Sequence, residues 1–217
     1  ASAGTFSLFE GNGKISLPSE HAEALVLHTS GTTSRPKLVP LTQSNLVASA
    51  DNIASTLRLS ETDHSLNIMP LFHIHGLIAV LCASISAGAS VCCTPGFNAL
   101  KFFELAASER ITWYSGVPTM HQAILLRGQR QAKTAKALNL RFIRSSSASL
   151  PPAVFDELAE LFECPVIEAY GMTEATHQMT SNPLPPKAQK AGFVGLPAGP
   201  EVCIMDEAGN QLKNGLE

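Results

Sequence analysis

The sequence predicts an α/β fold in which a mostly parallel sheet is flanked by helices. From Ala22 onward, short β-branched runs alternate with longer stretches of helical periodicity, and turn residues separate them. Of the 217 residues, 45% are apolar and 15% are charged, which is typical of a globular protein with a packed core. This alternation predicts crossover helices that join parallel strands.

Six runs have the length and composition of strands. They lie at 24–29, 65–69, 90–94, 112–116, 141–145 and 165–168. Between them, one helix begins near residue 42, where Thr42 is suited to be its N-terminal cap. A nearly all-apolar helix is predicted at 77–87, an amphipathic helix at 100–109, and a further helix from Pro151 and Pro152 to Phe162.

The pattern changes after Met179. A loop at 182–186 and the segment 192–197 precede a predicted strand at 202–206, which leads into a hairpin tip at 206–210. We therefore divide the chain into a leader or linker (1–20), an α/β subdomain (21–180) and the start of a truncated β-rich subdomain (181–217). The sequence opens in a Gly/Ser-rich segment and stops just after a predicted strand, so we expect an internal piece of a longer protein.

Charge and cysteine content exclude several classes of protein. The formal charge of −3 gives no general attraction for nucleic acid or an anionic membrane. The basic run 127–136 favours a solvated helix end or loop over a nucleic-acid site. The longest apolar run, 76–87, is too short to span a bilayer. Five cysteines in apolar runs without metal-ligand spacing are typical of a reducing compartment, so we expect a cytoplasmic protein, with a peroxisomal location as the alternative.

The segment 29–37, Thr-Ser-Gly-Thr-Thr-Ser-Arg-Pro-Lys, is the strongest chemical signal. It follows a predicted strand, and its hydroxyls, its glycine and Lys37 can supply many hydrogen-bond donors and a cation to a polyphosphate. It is not a Walker loop, because Pro36 and the missing second glycine forbid that geometry. The alternative is a polar surface turn.

Three further segments carry polar groups at predicted strand ends. Residues 168–174 read Glu-Ala-Tyr-Gly-Met-Thr-Glu, and an open α/β sheet places ligands at that position. Residues 144–151 read Arg-Ser-Ser-Ser-Ala-Ser-Leu-Pro, which is also compatible with a serine-rich helix cap. In 69–76, His73 and His75 flank Ile74 in a strand-like stretch, so they would face the same way and could line a pocket, hold a metal or be structural.

The segment 29–37 resembles the phosphate-loop signature of the adenylate-forming superfamily, which includes acyl-CoA synthetases, firefly luciferase and adenylation domains of peptide synthetases. Ser34 stands where that signature commonly has glycine. Segments 168–174 and 144–151 are similar to the superfamily's nucleotide motifs. The closest resemblance, over about 22–199, is to the oxalate-CoA ligase branch, through 28–37, 113–114, 141–145 and 173–179.

The resemblance implies ATP-dependent activation of a carboxylic acid to an acyl-adenylate, followed by transfer to CoA, with ATP and Mg²⁺ required. The residues that it implies for nucleotide binding are Thr29, Ser30, Gly31, Thr32, Thr33, Lys37, Ser147, Ala148, Ser149, Glu168, Ala169, Tyr170 and Thr173. Lys37, Thr173 and Glu174 would be catalytic, with Glu174 holding Mg²⁺. His73, Ser145 and His177 would contact a small acid such as oxalate, although His177 could equally lie on a helix surface.

Two alternatives remain at this point. The first is a non-catalytic nucleotide-binding or interaction module that keeps the fold without turnover. The second is an amino-acid-activating domain of a peptide synthetase, although no obvious Asp that would hold a substrate amine occurs in 65–76. The ribose-binding Asp and the mobile-domain lysine of the superfamily have no counterpart in the sequence, so we expect the chain alone to have little or no activity.

Overall fold

The computed structural model describes residues 17–29, 36–213 and 215. Within them, helices cover both faces of a seven-stranded sheet, and a separate two-stranded sheet precedes it in the chain. The strands are β1 (Glu23–Thr29), β2 (Lys37–Thr42), β3 (His64–Asn67), β4 (Ser90–Cys93), β5 (Trp113–Gly116), β6 (Phe142–Ser145), β7 (Val166–Met172), β8 (His177–Ser181) and β9 (Leu196–Pro197).

All the helices except the first connect parallel strands of the large sheet. The helices are α1 (Gln43–Thr56), α2 with a π-helical part (His75–Cys82) and an α-helical part (Ala83–Ser86), α3 (Phe102–Ser108), α4 (Pro118–Gly128), α5 (Ala132–Ala137) and α6 (Pro152–Phe162). In addition, 3₁₀ turns occupy Gln129–Gln131 and Thr173–Ala175.

The large sheet has the spatial order β4-β3-β5-β6-β7-β8-β9. Its first five strands in that order pair in parallel, whereas β7, β8 and β9 pair antiparallel. The predicted mostly parallel sheet flanked by helices is therefore confirmed. The change of direction at β7 places the short turn between β7 and β8 at the carboxyl end of the parallel strands.

Two apolar layers lie on opposite faces of this sheet. Trp113 and Phe142 pack with residues of α1 and α2 on one face, while Tyr114 and Ile143 pack with residues of α3, α4 and α6 on the other. Neighbours along a strand point to opposite faces, which explains this division. All four side chains are fully buried, and burial of such side chains contributes roughly 1.5–3 kcal/mol each.

One buried carboxylate joins three strand beginnings. Asp63, which precedes β3, is 2% exposed and accepts hydrogen bonds from Arg141 Nε at 2.8 Å and Thr112 Oγ1 at 2.9 Å. Arg141 Nη2 also donates to Asp63 and to the carbonyl of Leu57 at the end of α1. The amino ends of β3, β5 and β6 are thereby held together.

The helix starts were predicted more accurately than the edges of the sheet. Thr42 caps α1 as expected: its hydroxyl accepts from Asn45 N–H at 3.2 Å, and the Asn45 side chain accepts from Thr42 N–H at 3.0 Å. The run at 24–29 is a strand, but it pairs antiparallel with β2 and does not join the parallel sheet. The prediction missed β2, β8 and α4.

The predicted strand at 202–206 is wrong. The described residues there contain only an isolated bridge between Met205 and Gln211, and Ile204 and Met205 are largely exposed, so no second apolar layer covers them. The predicted hairpin tip is confirmed, because Asp206 and Asn210 exchange backbone and side-chain hydrogen bonds. The division near residue 180 stays a prediction; β8 crosses that position, and β9 pairs with β8 beyond it.

Among the described residues, no helix combines the length and apolar character needed to cross a membrane.

Candidate nucleotide and acid site

A cavity of about 280 Å³ lies at the carboxyl ends of β6 and β7. It is lined by residues 147–149 and 168–171 together with Ser145, Gly192 and Val194. Two of the predicted segments, which lie about twenty residues apart in sequence, therefore meet at one cavity. An open α/β sheet typically binds its ligand at this edge of the strands.

Glu168 fixes one wall of the cavity. Its side chain is 5% exposed, and Oε1 accepts a hydrogen bond from Gly192 N–H at 2.7 Å. Burial raises the pKa of the Glu168 carboxyl, although that hydrogen bond opposes the rise. The contact brings the loop after β8 against β7, and sequence analysis had not connected Gly192 with this site.

Tyr170 and Gly171 lie where β7 changes its pairing. Tyr170 is 47% exposed, so its ring is available at the cavity. The register between β7 and β8 shifts between these two residues. A side chain at position 171 would overlap the carbonyl group of His177 on β8, which explains why glycine is needed here.

The predicted phosphate loop connects two antiparallel strands. Thr29 ends β1, Lys37 begins β2, and the two residues are opposite each other in the ladder. Ser30, Gly31, Thr32 and Thr33 lie outside the described residues, as does Ser34. A Walker loop leads from a strand into a helix, whereas a strand follows this segment, so the distinction drawn from the sequence is confirmed.

Thr173 and Glu174 form the turn that follows β7. Thr173 is half-buried and Glu174 is exposed. This turn lies near β2, which Lys37 begins. The buried Ser49 hydroxyl of α1 donates to the Thr176 carbonyl at 2.5 Å, so α1 holds the end of the turn.

His73 and His75 do not face the same way, because the chain is not a strand there. His75 begins the π-helical part of α2 and is fully buried, whereas His73 precedes it and is exposed. His73 Nδ1 accepts from His75 N–H at 3.2 Å. Among residues 17–29, 36–213 and 215, no group of three or more His, Cys, Asp or Glu side chains is placed to hold a metal ion.

His75 was missed as a site residue, and it connects the cavity to the sheet. Its Nδ1 lies 3.0 Å from Ser147 Oγ, and its Nε2 lies 2.7 Å from Ser115 Oγ. Burial, with the charges of His177 and Arg144, lowers the pKa of His75 well below 6.5. Ser147 has a left-handed backbone with φ of 73°, a conformation that a non-glycine residue adopts at a cost.

His177 is buried at the start of β8, so the alternative of a helix-surface position is wrong. Its φ is 95°, and its ring centroid lies 5.1 Å from that of His75. Burial and the neighbouring charge of Arg144 lower its pKa well below 6.5. His177 Nδ1 has no hydrogen-bond partner among the described residues, nor has the buried Ser145 Oγ.

Arg144 and Gln178 complete this buried polar cluster. Arg144 Nη1 donates to Ser115 Oγ at 3.4 Å, and Nη2 donates to Gln178 Oε1 at 3.2 Å. Gln178 Nε2 in turn donates to Thr56 of α1 and to the Ala198 carbonyl. Both residues lie in segments that the sequence singled out, but nothing in the sequence indicated that they touch across the strand between them.

The fold and the cavity define an open α/β protein with a polar ligand site at the carboxyl ends of its parallel strands. The profile of the AMP-binding enzyme family matches residues 6–217, and the chain belongs to that family. Membership in the adenylate-forming superfamily, as its motifs indicated, is therefore confirmed.

Two of the curated proteins that resemble this chain are both named oxalate–CoA ligase. The chain is 51% identical to an oxalate–CoA ligase of Arabidopsis thaliana, over 86% of this chain and 37% of that protein. It is 47% identical to an oxalate–CoA ligase of Saccharomyces cerevisiae, over 88% of this chain and 35% of that protein. The chain thus spans somewhat more than a third of the length of these relatives.

A solved structure of ATP-bound MatB from Rhodopseudomonas palustris has the same fold. It superimposes with a TM-score of 0.80 at 31% identity, covering 91% of this chain and 39% of that one.

Proposed function

We propose that the complete protein is an AMP-forming acid–thiol ligase that converts oxalate to its CoA thioester with ATP and Mg²⁺. The observation that carries the proposal is the cavity at the ends of β6 and β7, where two segments with nucleotide-motif resemblance meet. Kinship with two oxalate–CoA ligases at 51% and 47% identity supports the choice of acid.

In this proposal the adenine and ribose of ATP lie in the cavity. The exposed Tyr170 ring would stack on the adenine, and residues 147–149 would present backbone and hydroxyl groups to the base and sugar. Ala169 contributes to the same wall of the cavity. Glu168 holds that wall in place by accepting a hydrogen bond from Gly192 N–H.

The phosphates would lie between the β1–β2 connection and the turn after β7. Residues 29–33 with Lys37 would bind the β- and γ-phosphates, and the Thr173 hydroxyl would contact the α-phosphate. Glu174 is an exposed single carboxylate beside this region, which fits Mg²⁺, because that ion takes most of its ligands from phosphate oxygens and water. The metal would neutralise charge on the phosphates during the transfer.

The chemistry needs positioning more than covalent help. A carboxylate oxygen of the acid attacks the α-phosphorus and pyrophosphate leaves. The CoA thiol then loses its proton and attacks the acyl carbonyl of the adenylate, and the acyl–phosphate bond breaks to release AMP. Thr173 would stabilise the developing charge at the α-phosphate and Lys37 the charge on the departing pyrophosphate, while His73, Ser145 and His177 would hold the acid in line. We also propose a cytoplasmic location, which the free state of the five cysteines supports.

The test is pyrophosphate release by the complete protein with ATP, Mg²⁺, CoA and oxalate, compared with medium-chain and aromatic acids. Lys37→Ala and Glu174→Ala should each reduce kcat/KM by about 100-fold or more, because Lys37 would neutralise charge on the departing phosphates and Glu174 would hold the Mg²⁺ that does the same. Lys133→Ala and Glu207→Ala, which remove the same charges at exposed positions away from the cavity, are the matched controls and should keep full activity.

Release with oxalate no faster than with the other acids would exclude the proposed substrate. No release with any acid would favour a nucleotide-binding module without turnover.

A further inference from the structure

Arg144 is a fully buried cation whose described neighbours include no carboxylate. The ion pairs found among residues 17–29, 36–213 and 215 are His21–Glu20, Lys136–Glu163 and Arg141–Asp63. The partners of Arg144 are a serine hydroxyl and a glutamine oxygen, both neutral, and its Nε has no partner. Arg141, three residues earlier, shows the usual arrangement with an acidic partner.

A buried charge without a counter-charge is unfavourable for folding. Burial lowers the pKa of Arg144 only to about 9, so the guanidinium is still charged at neutral pH. Hydrogen bonds to neutral groups satisfy two of its nitrogens, but they do not neutralise the charge. A buried cation with only neutral partners is a candidate to pair with the anion of a ligand.

The two histidine rings near Arg144 are neutral, so they leave its positive charge available to an anion. His177 lies close enough for the guanidinium charge to lower its pKa, and His75 is affected in the same way. Both rings are therefore neutral, and His177 Nδ1 has no partner. Arg144 thus supplies the fixed positive charge of this cluster.

The cluster is connected to the cavity. Hydrogen bonds lead from Arg144 through Ser115 and His75 to Ser147, which lines the cavity wall. The exposed His73 lies two residues before His75, and its ring accepts a hydrogen bond from the backbone N–H of His75. An acid held at the cavity would therefore meet this hydrogen-bonded chain, with His75 and Ser115 between the acid and the guanidinium.

We propose that Arg144 is the residue that selects a dianionic acid, with its guanidinium serving as the counter-charge for the carboxylate of the substrate that does not react. This inference rests on the proposed function and assigns to one residue the discrimination between a short dicarboxylate and a monocarboxylate of equal size. A monoanion would leave the buried charge uncompensated after its single carboxylate has turned toward ATP.

The test measures ligand binding by calorimetry, first of a non-hydrolysable ATP analogue and then of oxalate or glyoxylate to the analogue complex. Arg144→Gln keeps donors but removes the charge, and Arg144→Lys keeps the charge. Arg130→Gln, at an exposed position, is the matched control. Arg144→Gln should bind the analogue normally, weaken oxalate binding by about 100-fold and change glyoxylate binding by about threefold or less, whereas Arg144→Lys should keep oxalate within about tenfold.

Unchanged oxalate binding in a folded Arg144→Gln protein would overturn the inference and leave the proposed function standing. Equal losses for oxalate and glyoxylate, together with a lower melting temperature, would show a merely structural role and would also overturn it. Wild-type protein that binds the analogue but no oxalate would refute the proposed substrate itself, and with it the inference. As a check on folding, Arg144→Met should melt no lower than the wild type, because it removes an uncompensated buried charge.

Discussion

The buried His121 should make the stability of the sheet depend on pH. Its Nε2 lies 3.1 Å from the Gly116 carbonyl and its Nδ1 lies 3.3 Å from the Tyr114 hydroxyl. A carbonyl can only accept, so Nε2 carries the proton and Nδ1 accepts from the phenol. Burial lowers the pKa of His121 from 6.5 to about 4, although hydrogen bonding to the backbone opposes part of the change.

The direction of the pH effect on stability follows from whether the folded or the unfolded state binds the proton. Below pH 6.5 the unfolded chain protonates His121 while the folded protein does not, so the stability due to the neutral ring is fully present above that pH and is lost as the pH falls toward about 4. Between pH 7.5 and 5 the loss is about 2 kcal/mol, or about 30-fold in the opening equilibrium. The pKa of Tyr114 is raised well above 10 and that of Arg144 is about 9, so neither group titrates in this range.

The assay is hydrogen exchange of the complete protein at pH 7.5 and 5, read on peptides that cover β5 and α4 and corrected for the intrinsic exchange rate. His121→Gln, whose amide can still donate to the Gly116 carbonyl, is the comparison. His75 and His177 shift stability in the same direction in both proteins, so the difference between the two pH slopes isolates His121. Equal slopes in wild type and variant would refute the reasoning.

Two further predictions concern stability. Asp63→Asn should lower the free energy of unfolding by about 2–3 kcal/mol, because it weakens charged hydrogen bonds to Arg141 and Thr112. In a double-mutant cycle with Arg141→Met, measured by urea unfolding, the coupling energy between the two residues should account for most of that loss. Lys136→Met, which breaks the exposed pair with Glu163, is the control and should leave the melting temperature unchanged. Gly171→Ala should destabilise by about 3 kcal/mol and weaken ATP-analogue binding, because its methyl group would push β8 away from the cavity wall. Gly116→Ala, whose methyl group would meet its neighbours at 3.4 Å or more, should lose less, and equal melting temperatures for the two variants would contradict the steric argument.

Local pattern predicted the parallel strands and most crossover helices, because those elements are marked by periodicity, turn residues and caps. The strand at Trp113 and the helix cap at Thr42 are examples. Pairing partners were harder to predict. The 24–29 run has strand composition wherever it pairs, and β2 was hidden by Pro40 and by its position before a helix signal.

The sequence predicted site residues only where their functional groups lie within one short segment of the chain. The segments 144–151 and 168–174 were recognised by composition and resemblance, and both lie at the cavity. The contacts of Glu168 with Gly192 and of Arg144 with Gln178 join residues 24 and 34 positions apart, and no local signal encodes them. His75 was noticed but was given the wrong orientation, because an apolar stretch of this length is compatible with a strand or a buried helix.

The reversal of direction between β7 and β8 has a consequence for how such a protein diversifies. A parallel connection at this edge would need a crossover of a dozen or more residues, whereas here Thr173 to Thr176 suffice, and α1 anchors them through Ser49. Thr173 and Glu174, the proposed phosphate and Mg²⁺ ligands, therefore lie on a turn that is not part of any α-helix or of the core. For directed evolution, the residues beside this turn would be a compact target, because the packed layers on both faces of the sheet would stay unchanged.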